Sequence, residues 1–236
     1  MSQCPVGILG GMGPEATILL QQRLLDAVTW AADDADHVPL IVDMNPQVPS
    51  RIKYLIEGHG RDPAPVLAQM AQRLEAAGAS ALAMPCNTAH AFKSAIENAV
   101  SIPFLDMVEL ASSAAARGAP KCEKIGILAS PAVKYTSLFE KSLAALERET
   151  LWPKDEAALL DAIKQIKAEG ATGESLHLLQ RASLDLKERG ASTQLVACSE
   201  FSMHSRALQA EGLNIVDTLD CLVEAILKIT PNPKEN

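Results

Sequence analysis

The chain has 236 residues, of which 48% are hydrophobic, so it can bury one large core or two smaller ones. A formal net charge of −8 and an aromatic content of 3% argue against nucleic-acid binding, which needs a basic face and stacking side chains. The first residues do not form an export signal, and no run approaches the roughly 20 apolar residues that span a bilayer. Composition therefore predicts a cytoplasmic protein whose partner is a small molecule, not nucleic acid or a membrane.

Short apolar runs alternate with helical patterns from the beginning of the chain. The predicted strands cover residues 6–9, 38–42, 79–84 and 102–105, and the predicted helices cover 15–32, 63–77 and 88–100, with an alanine-rich helix after 106. In the first helix, Ile18 and Leu25 belong to the expected apolar stripe. Strands that alternate with helices form parallel sheets covered by helices on both faces, so an α/β fold is predicted.

The third predicted strand runs into Cys86, which lies just before the next helix. Unpaired amides and the dipole of a helix N-terminus stabilise negative charge, so this position favours a thiolate. A buried, inert thiol is the alternative, since free cysteine is commonly a core residue. The five cysteines lack Cys-x-x-Cys spacing and the histidines lack ligand spacing, so neither a disulfide framework nor a metal site is predicted.

The second part of the chain repeats the order of features in the first. The paired features are the Gly-Ile-Leu strands at 6–9 and 125–128, Cys86 and Cys198, and the later strand-end residues Asp106 and Asp217. We therefore predict two pseudo-symmetric α/β domains, each a mainly parallel sheet flanked by helices, with the active site in the cleft between them. The first domain is expected to comprise residues 1–101 plus 210–236, and the second residues 102–209.

Two cysteines at equivalent strand ends would face each other across such a cleft. If one sulfur is a thiolate and the other a thiol, the pair can remove a proton from one face of a carbon and return one to the other face. Racemisation is a reaction of this kind, and the two roles exchange with the handedness of the substrate.

Four motifs in order resemble those of a known family. They are Gly10-Gly11-Met12-Gly13-Pro14, Met44-Asn45 with Arg51 downstream, Pro85-Cys86-Asn87-Thr88-Ala89-His90, and Cys198-Ser199-Glu200. The family is that of the aspartate/glutamate racemases, in particular its PLP-independent aspartate racemase branch, and the resemblance covers essentially the whole chain. It implies two α/β domains that close over a small acidic amino acid, catalysis without a cofactor, and a homodimer. It also implies that Cys86 and Cys198 are the two bases and that Arg51 and Lys167 bind the substrate.

Other candidate groups have a structural alternative beside the functional one. Strand-end polar groups could bind a carboxylate or an ammonium group, whereas each alone could cap a helix, and Ser130 fits an N-cap first. Lys167 shares a predicted apolar stripe with Ile163, so it either points inward or reaches past the stripe to solvent. His90 either tunes the Cys86 thiolate or hydrogen-bonds a backbone carbonyl. The candidate substrate-binding residues are Met12, Asn45, Arg51, Asn87, Thr88, Ser130, Lys167, Ser199 and Glu200.

The predicted function is racemisation of aspartate or glutamate by Cys86 and Cys198. Related isomerases, such as hydantoin racemase or maleate isomerase, and a non-catalytic amino-acid binding protein are the alternatives. The second cysteine motif has Ala197 and Ser199 where the family usually has glycine and threonine, which leaves the substrate range open. The sequence also leaves open which enantiomer is preferred.

Overall fold

The computed structural model describes residues 4–230. The chain forms two compact units, one built from the residues up to Met107 together with those from Leu222 onward, and the other from Val108–Cys221. Two short ranges, 1–3 and 231–236, lie outside the described residues. The first belongs to the segment predicted not to be an export signal, and the second is the end of the predicted first domain. No helix within residues 4–230 is both long and apolar enough to cross a bilayer.

The first unit contains a four-stranded parallel sheet with the strand order β2-β1-β3-β4. Its strands are β1 (Val6–Gly10), β2 (Leu40–Met44), β3 (Ala81–Ala83) and β4 (Phe104–Leu105), its helices are α1 (Pro14–Ala27), α2 (Arg51–Leu55), α3 (Ala64–Ala76) and α4 (Lys93–Glu97), and 3-10 turns occur at Asp34–Asp36 and Thr88–Phe92. Every residue of the inner strands β1 and β3 is buried, which is why these strands are continuous apolar runs without alternation.

The second unit repeats this arrangement, with the parallel strand order β6-β5-β7-β8. Its strands are β5 (Ile125–Leu128), β6 (Thr150–Leu151), β7 (Thr193–Val196) and β8 (Asn214–Asp217), and its helices are α5 (Met107–Gly118), α6 (Pro131–Thr136), α7 (Leu138–Ala144), α8 (Glu156–Glu169), α9 (Gly173–Glu188), α10 (Ser205–Ala210) and the start of α11 (Thr218–Ile229), with a 3-10 turn at Phe201–Met203. The matching strand orders confirm the predicted α/β class with two pseudo-symmetric parallel sheets flanked by helices.

The repeat extends to the packing of one glycine in each sheet. A Cβ added at Gly7 in β1 would lie 3.0 Å from Leu74 Cβ on α3, and one added at Gly126 in β5 would lie 3.0 Å from Leu186 Cδ1 on α9. Both distances are shorter than ordinary carbon contacts of about 3.5–4.0 Å, so each helix packs against its sheet only because the strand lacks a side chain there. The paired Gly-Ile-Leu runs therefore encode the same strand and helix packing twice.

The boundaries between the units differ from those predicted at 101/102 and 209/210. The predicted division placed the strand at 102–105 in the second domain and the strand at 214–217 in the first. Strand pairing reverses both assignments, because Leu82 of β3 lies opposite Phe104 of β4 and Val196 of β7 lies opposite Asp217 of β8. Each sheet keeps its fourth strand, and the chain passes between the units only after that strand.

Two predicted helices also differ from the structure. Helix α1 ends at Ala27, and Ile18 and Leu25 are 59% and 53% exposed. The buried face instead includes Thr17, whose hydroxyl accepts a hydrogen bond of 3.0 Å from the Gly11 N–H and so fixes this side of the helix against the glycine-rich loop.

The helix predicted over 88–100 is a 3-10 turn followed by the five-residue helix α4. Few peptide dipoles are aligned in such short segments, so the helix-dipole argument for a Cys86 thiolate loses most of its strength.

Candidate active site

The carboxyl end of the first sheet brings together three of the predicted residues. Because β1, β2 and β3 are parallel neighbours, the residues that follow them, Met12, Asn45 and Cys86, lie along one edge of the sheet. Met12 and Cys86 are buried in the same hydrophobic cluster. The Asn45 N–H donates to the Gly10 carbonyl at 3.2 Å, and a Cβ added at Gly11 would lie 2.4 Å from the Asn45 carbonyl carbon. The glycine-rich loop is therefore packed directly on the backbone at the end of β2.

Cys86 is held in place through its own carbonyl group by His90. The His90 Nε2 atom lies 3.1 Å from the Met107 N–H, which can only donate, so Nε2 accepts and carries no proton. The proton is then on Nδ1, which donates to the Cys86 carbonyl at 2.8 Å. His90 is thus a neutral, buried residue that ties the Cys86 loop to the start of α5, which is the carbonyl-bonding alternative of the two predicted for it.

Replacing His90 by phenylalanine should lower the free energy of unfolding by about 2–6 kcal/mol. The ring has a similar size, but the buried Cys86 carbonyl and Met107 N–H lose their partner, and each unsatisfied buried group costs about 1–3 kcal/mol. His177→Phe is the matched control, since His177 is exposed and bonds only to Gln180 in the described contacts, and it should change stability by less than about 0.5 kcal/mol. Thermal denaturation measures the stability of both variants. Equal melting temperatures of the two variants would show that the His90 hydrogen bonds do not stabilise the Cys86 loop.

Arg51 lies at the first position of helix α2. Ser50 caps this helix by accepting a hydrogen bond from the Lys53 N–H at 3.3 Å. The Arg51 guanidinium donates from one terminal nitrogen to the Val48 and Pro49 carbonyls, at 3.5 and 3.2 Å. Its Nε atom is buried and has no hydrogen-bond partner within the part of the chain that the structure describes. Part of the guanidinium is thus anchored, and one buried donor is available to an acceptor.

The other two candidates of the first unit follow Cys86 directly. Asn87 is buried, and Thr88 is partly buried at the start of the 3-10 turn. In the second unit, Ser130 caps α6 by accepting a hydrogen bond of 3.4 Å from the Val133 N–H, which is the N-cap predicted for it.

The second unit joins four predicted residues into one hydrogen-bonded group. Cys198 follows β7 and is buried, with its Sγ atom 2.9 Å from Glu200 Oε2. The Ser199 hydroxyl donates to the same oxygen at 3.3 Å. Lys167 on α8 places its Nζ atom 3.2 Å from Glu200 Oε1. Lys167 is largely exposed, so its side chain extends past the buried stripe of its helix. Its ammonium group forms an ion pair with the Glu200 carboxylate.

These contacts set the protonation states of Cys198 and Glu200. Burial raises the pKa of the Cys198 thiol well above its usual range, and the negative charge of Glu200 raises it further. Burial also opposes ionisation of Glu200, but the Lys167 ammonium and the Cys198 S–H outweigh it, so the pKa of Glu200 is lowered. At neutral pH the Cys198 S–H therefore donates to a glutamate carboxylate.

In the second unit, Ser202 hydrogen-bonds the Cys198 carbonyl as His90 hydrogen-bonds the Cys86 carbonyl in the first. It lies four residues after Cys198, as His90 does after Cys86, and its backbone N–H donates to the Cys198 carbonyl at 3.1 Å. Its hydroxyl donates to Asp217 Oδ1 at 2.7 Å, at the end of β8. Each cysteine carbonyl is thus linked through the fourth following residue to the fourth strand's carboxyl end or to the helix that begins just after it. Sequence reasoning missed Ser202, although the shared spacing in the repeat was a signal for it.

The fold and these loops define a class of α/β protein in which each of two similar parallel sheets carries a buried cysteine after its third strand. A model of the Asp/Glu/hydantoin racemase family matches residues 9–226, so the chain belongs to this family. It is 26% identical to the broad specificity amino-acid racemase RacX of Bacillus subtilis, over 93% of this chain and 95% of that protein.

Solved structures of racemases share the fold. The Picrophilus torridus aspartate racemase has a TM-score of 0.83 at 24% identity, covering 98% of this chain and 97% of that one. The glutamate racemase isoform RacE1 of Bacillus anthracis has a TM-score of 0.67 at 18% identity, covering 97% of this chain and 83% of that one. Family membership and the RacX relative support amino-acid racemisation as the activity, whereas the solved structures show that the fold is shared.

Proposed function

We propose that this protein racemises an acidic amino acid, aspartate or glutamate, by a two-cysteine mechanism that uses no cofactor. The observation that carries the proposal is the pair of buried cysteines in topologically equivalent loops of a repeated fold, after β3 and after β7. A repeat that has a thiol at both positions suits a reaction in which a proton is removed from one face of a carbon and another is added to the opposite face.

In the proposed reaction, one sulfur acts as the base and the other as the acid. The thiolate takes the α-proton, the C–H bond breaks, and the electron pair stays on the α-carbon. The opposite thiol then gives its proton to that pair, which inverts the centre and leaves a thiolate behind. This requires both sulfurs to approach the same α-carbon. Because both cysteines are buried, the thiolate is poorly hydrated, which makes it a stronger base.

Substrate carboxylates are proposed to be bound mainly by the first unit. The buried Arg51 Nε has an unused donor that a carboxylate would satisfy, and a planar guanidinium suits two-point binding of such a group. Asn45 and Met12 lie at the same sheet edge as Cys86 and are proposed to contact the substrate there, together with Asn87 and Thr88. From the second unit, the proposed contacts with the substrate are Ser130, Ser199 and Lys167. Lys167 would contact the substrate while it stays paired with Glu200.

The test is incubation in D₂O with both enantiomers of aspartate, glutamate and several neutral and basic amino acids, and with a substituted hydantoin and maleate. Chiral chromatography with mass spectrometry should show interconversion of aspartate or glutamate with deuterium at the α-carbon. A double variant with both Cys86 and Cys198 changed to alanine controls for contaminating racemases. Binding without exchange would overturn the proposal in favour of a binding protein, and turnover of only the hydantoin or maleate would assign a related isomerase.

A homodimer and residence in the cytoplasm stay predictions from the family resemblance and the composition.

A further inference from the structure

The two cysteine loops differ in charge at one equivalent position. Two residues after Cys198 the chain carries Glu200, a carboxylate, whereas two residues after Cys86 it carries Thr88, a neutral hydroxyl. The two loops follow equivalent strands of the repeat, so this difference in charge is informative, because a symmetric acid and base pair would need no charge beside one sulfur only.

Glu200 is oriented so that its charge acts on the Cys198 sulfur. One carboxylate oxygen, Oε1, is paired with the Lys167 ammonium at 3.2 Å, while the other, Oε2, lies 2.9 Å from Sγ and also accepts from the Ser199 hydroxyl. The glutamate side chain is only 19% exposed, so water screens this charge weakly. A Cys198 thiolate would sit directly against a carboxylate oxygen, whereas a thiol donates a hydrogen bond to it.

The charged groups that act on the Cys198 sulfur are Glu200, from its own loop, and Lys167, from α8. Asp217, at the end of β8, is occupied by the Ser202 hydroxyl and by the Leu219 N–H at 2.9 Å. Lys167 is paired with the other carboxylate oxygen of Glu200, so it keeps Glu200 ionised. Its own effect on the pKa of Cys198 is smaller than that of the carboxylate.

We propose that Glu200 keeps the proton on Cys198 in the substrate-free protein, so that Cys198 is the resting acid and Cys86 is the base of the first turnover. This inference rests on the proposed racemisation. The resting protein then accepts the enantiomer whose α-hydrogen points at Cys86. After that turnover the proton has moved to Cys86 and Cys198 is a thiolate beside Glu200, so the product form of the protein is the less stable one. Glu200 is thus a positioning residue that acts through Cys198.

The first arm of the test measures the proton directly, without any substrate. Iodoacetamide alkylates thiolates, and peptide mass spectrometry gives a separate rate for each cysteine as a function of pH. In Glu200→Gln, alkylation of Cys198 at pH 8 should be at least about tenfold faster than in the wild type, since a neighbouring like charge shifts a pKa by about one unit or more. The exposed Cys122 in the same sample is the internal reference and should be unchanged.

Glu169→Gln is the matched control variant, because it removes one negative charge from an exposed position on the same helix as Lys167. It should leave the Cys198 rate as in the wild type. Identical Cys198 profiles in the wild type and in Glu200→Gln would overturn the inference. If Glu200→Gln does not fold, the wild type still decides, because rapid alkylation of its Cys198 at neutral pH would show a resting thiolate there and overturn the inference.

The second arm follows racemisation. Loss of the Cys198 proton should produce the alkaline limb of kcat/KM, and Glu200→Gln should move that limb to lower pH by at least about one unit, a shift that a merely structural loss of activity would not produce. An unmoved limb would contradict the inference. If the wild-type protein exchanges no α-proton of any amino acid, the proposed function fails. The alkylation measurement still shows whether Cys198 is a thiol in the resting protein.

Discussion

Changing Cys86 or Cys198 to alanine should each lower the rate of racemisation by about 10²–10⁴-fold, the usual contribution of a general acid or base. The remaining sulfur, whenever it is ionised, can still take an α-proton from the face that it reaches and return a solvent-derived one to the same face. In Cys86→Ala this exchange should be slower at neutral pH, because burial and Glu200 keep Cys198 mostly a thiol. Each variant should therefore exchange the α-hydrogen of one enantiomer with D₂O, and the two variants should differ in which enantiomer it is. Chiral chromatography and mass spectrometry of each enantiomer measure both effects.

The control for the cysteine variants is Cys122→Ala, because Cys122 is exposed and outside the proposed site. It should racemise as the wild type does. Wild-type racemisation in either Cys86→Ala or Cys198→Ala would exclude a two-base mechanism. Exchange of the same enantiomer by both variants would show that the two sulfurs act from one face.

Changing Gly11 to alanine should lower the free energy of unfolding by about 3 kcal/mol. The backbone at Gly11 has φ +90°, a conformation that costs an L-residue about 1–2 kcal/mol, and the new Cβ would lie 2.4 Å from the Asn45 carbonyl carbon. Backbone atoms cannot rotate away as a side chain can, so the loop after β1 must separate from the end of β2. Thermal denaturation measures the loss, and racemisation should fall with it because Met12 and Asn45 move.

Gly78→Ala separates the two causes. Gly78 has a similar φ of +96°, but nothing lies within 4 Å of its added Cβ. It should therefore lose only about 1–2 kcal/mol, the cost of the backbone conformation alone. If Gly11→Ala is no less stable than Gly78→Ala, the loop after β1 is not packed against Asn45.

The fold could be predicted because its signals are repeated along the chain. Buried parallel strands are continuous apolar runs, and the matched Gly-Ile-Leu strands and strand-end cysteines are enough to indicate two similar units. The boundaries could not be predicted, because β4 and β8 are short and the sequence does not show which sheet each one joins. The prediction for Ile18 and Leu25 on α1 was wrong, since the buried side is defined by Thr17 and its hydrogen bond to the glycine-rich loop.

The sequence indicated where the candidate residues lie in the fold, but not the contacts that they make. Cys86, Cys198 and the residues beside them lie at the carboxyl ends of their sheets, as the motifs indicated. The pairing of Lys167 with Glu200 was not predicted, because it joins the last turn of α8 to a loop distant in the chain, and helical periodicity reports only on contacts made by the helix face. The neutral state of His90 also depended on a contact with the Met107 backbone that no spacing reveals.

The first unit is made of two separate segments of the chain, and this sets the order in which the two units can be completed as the chain leaves the ribosome. Val108–Cys221 is one unbroken segment, and it leaves the ribosome in full before the residues from Leu222 onward that the first unit requires. The second unit therefore leaves the ribosome as a whole before the first unit receives the remainder of α11. In a nascent chain, Cys198 and Glu200 can meet before the unit that contains Cys86 is complete.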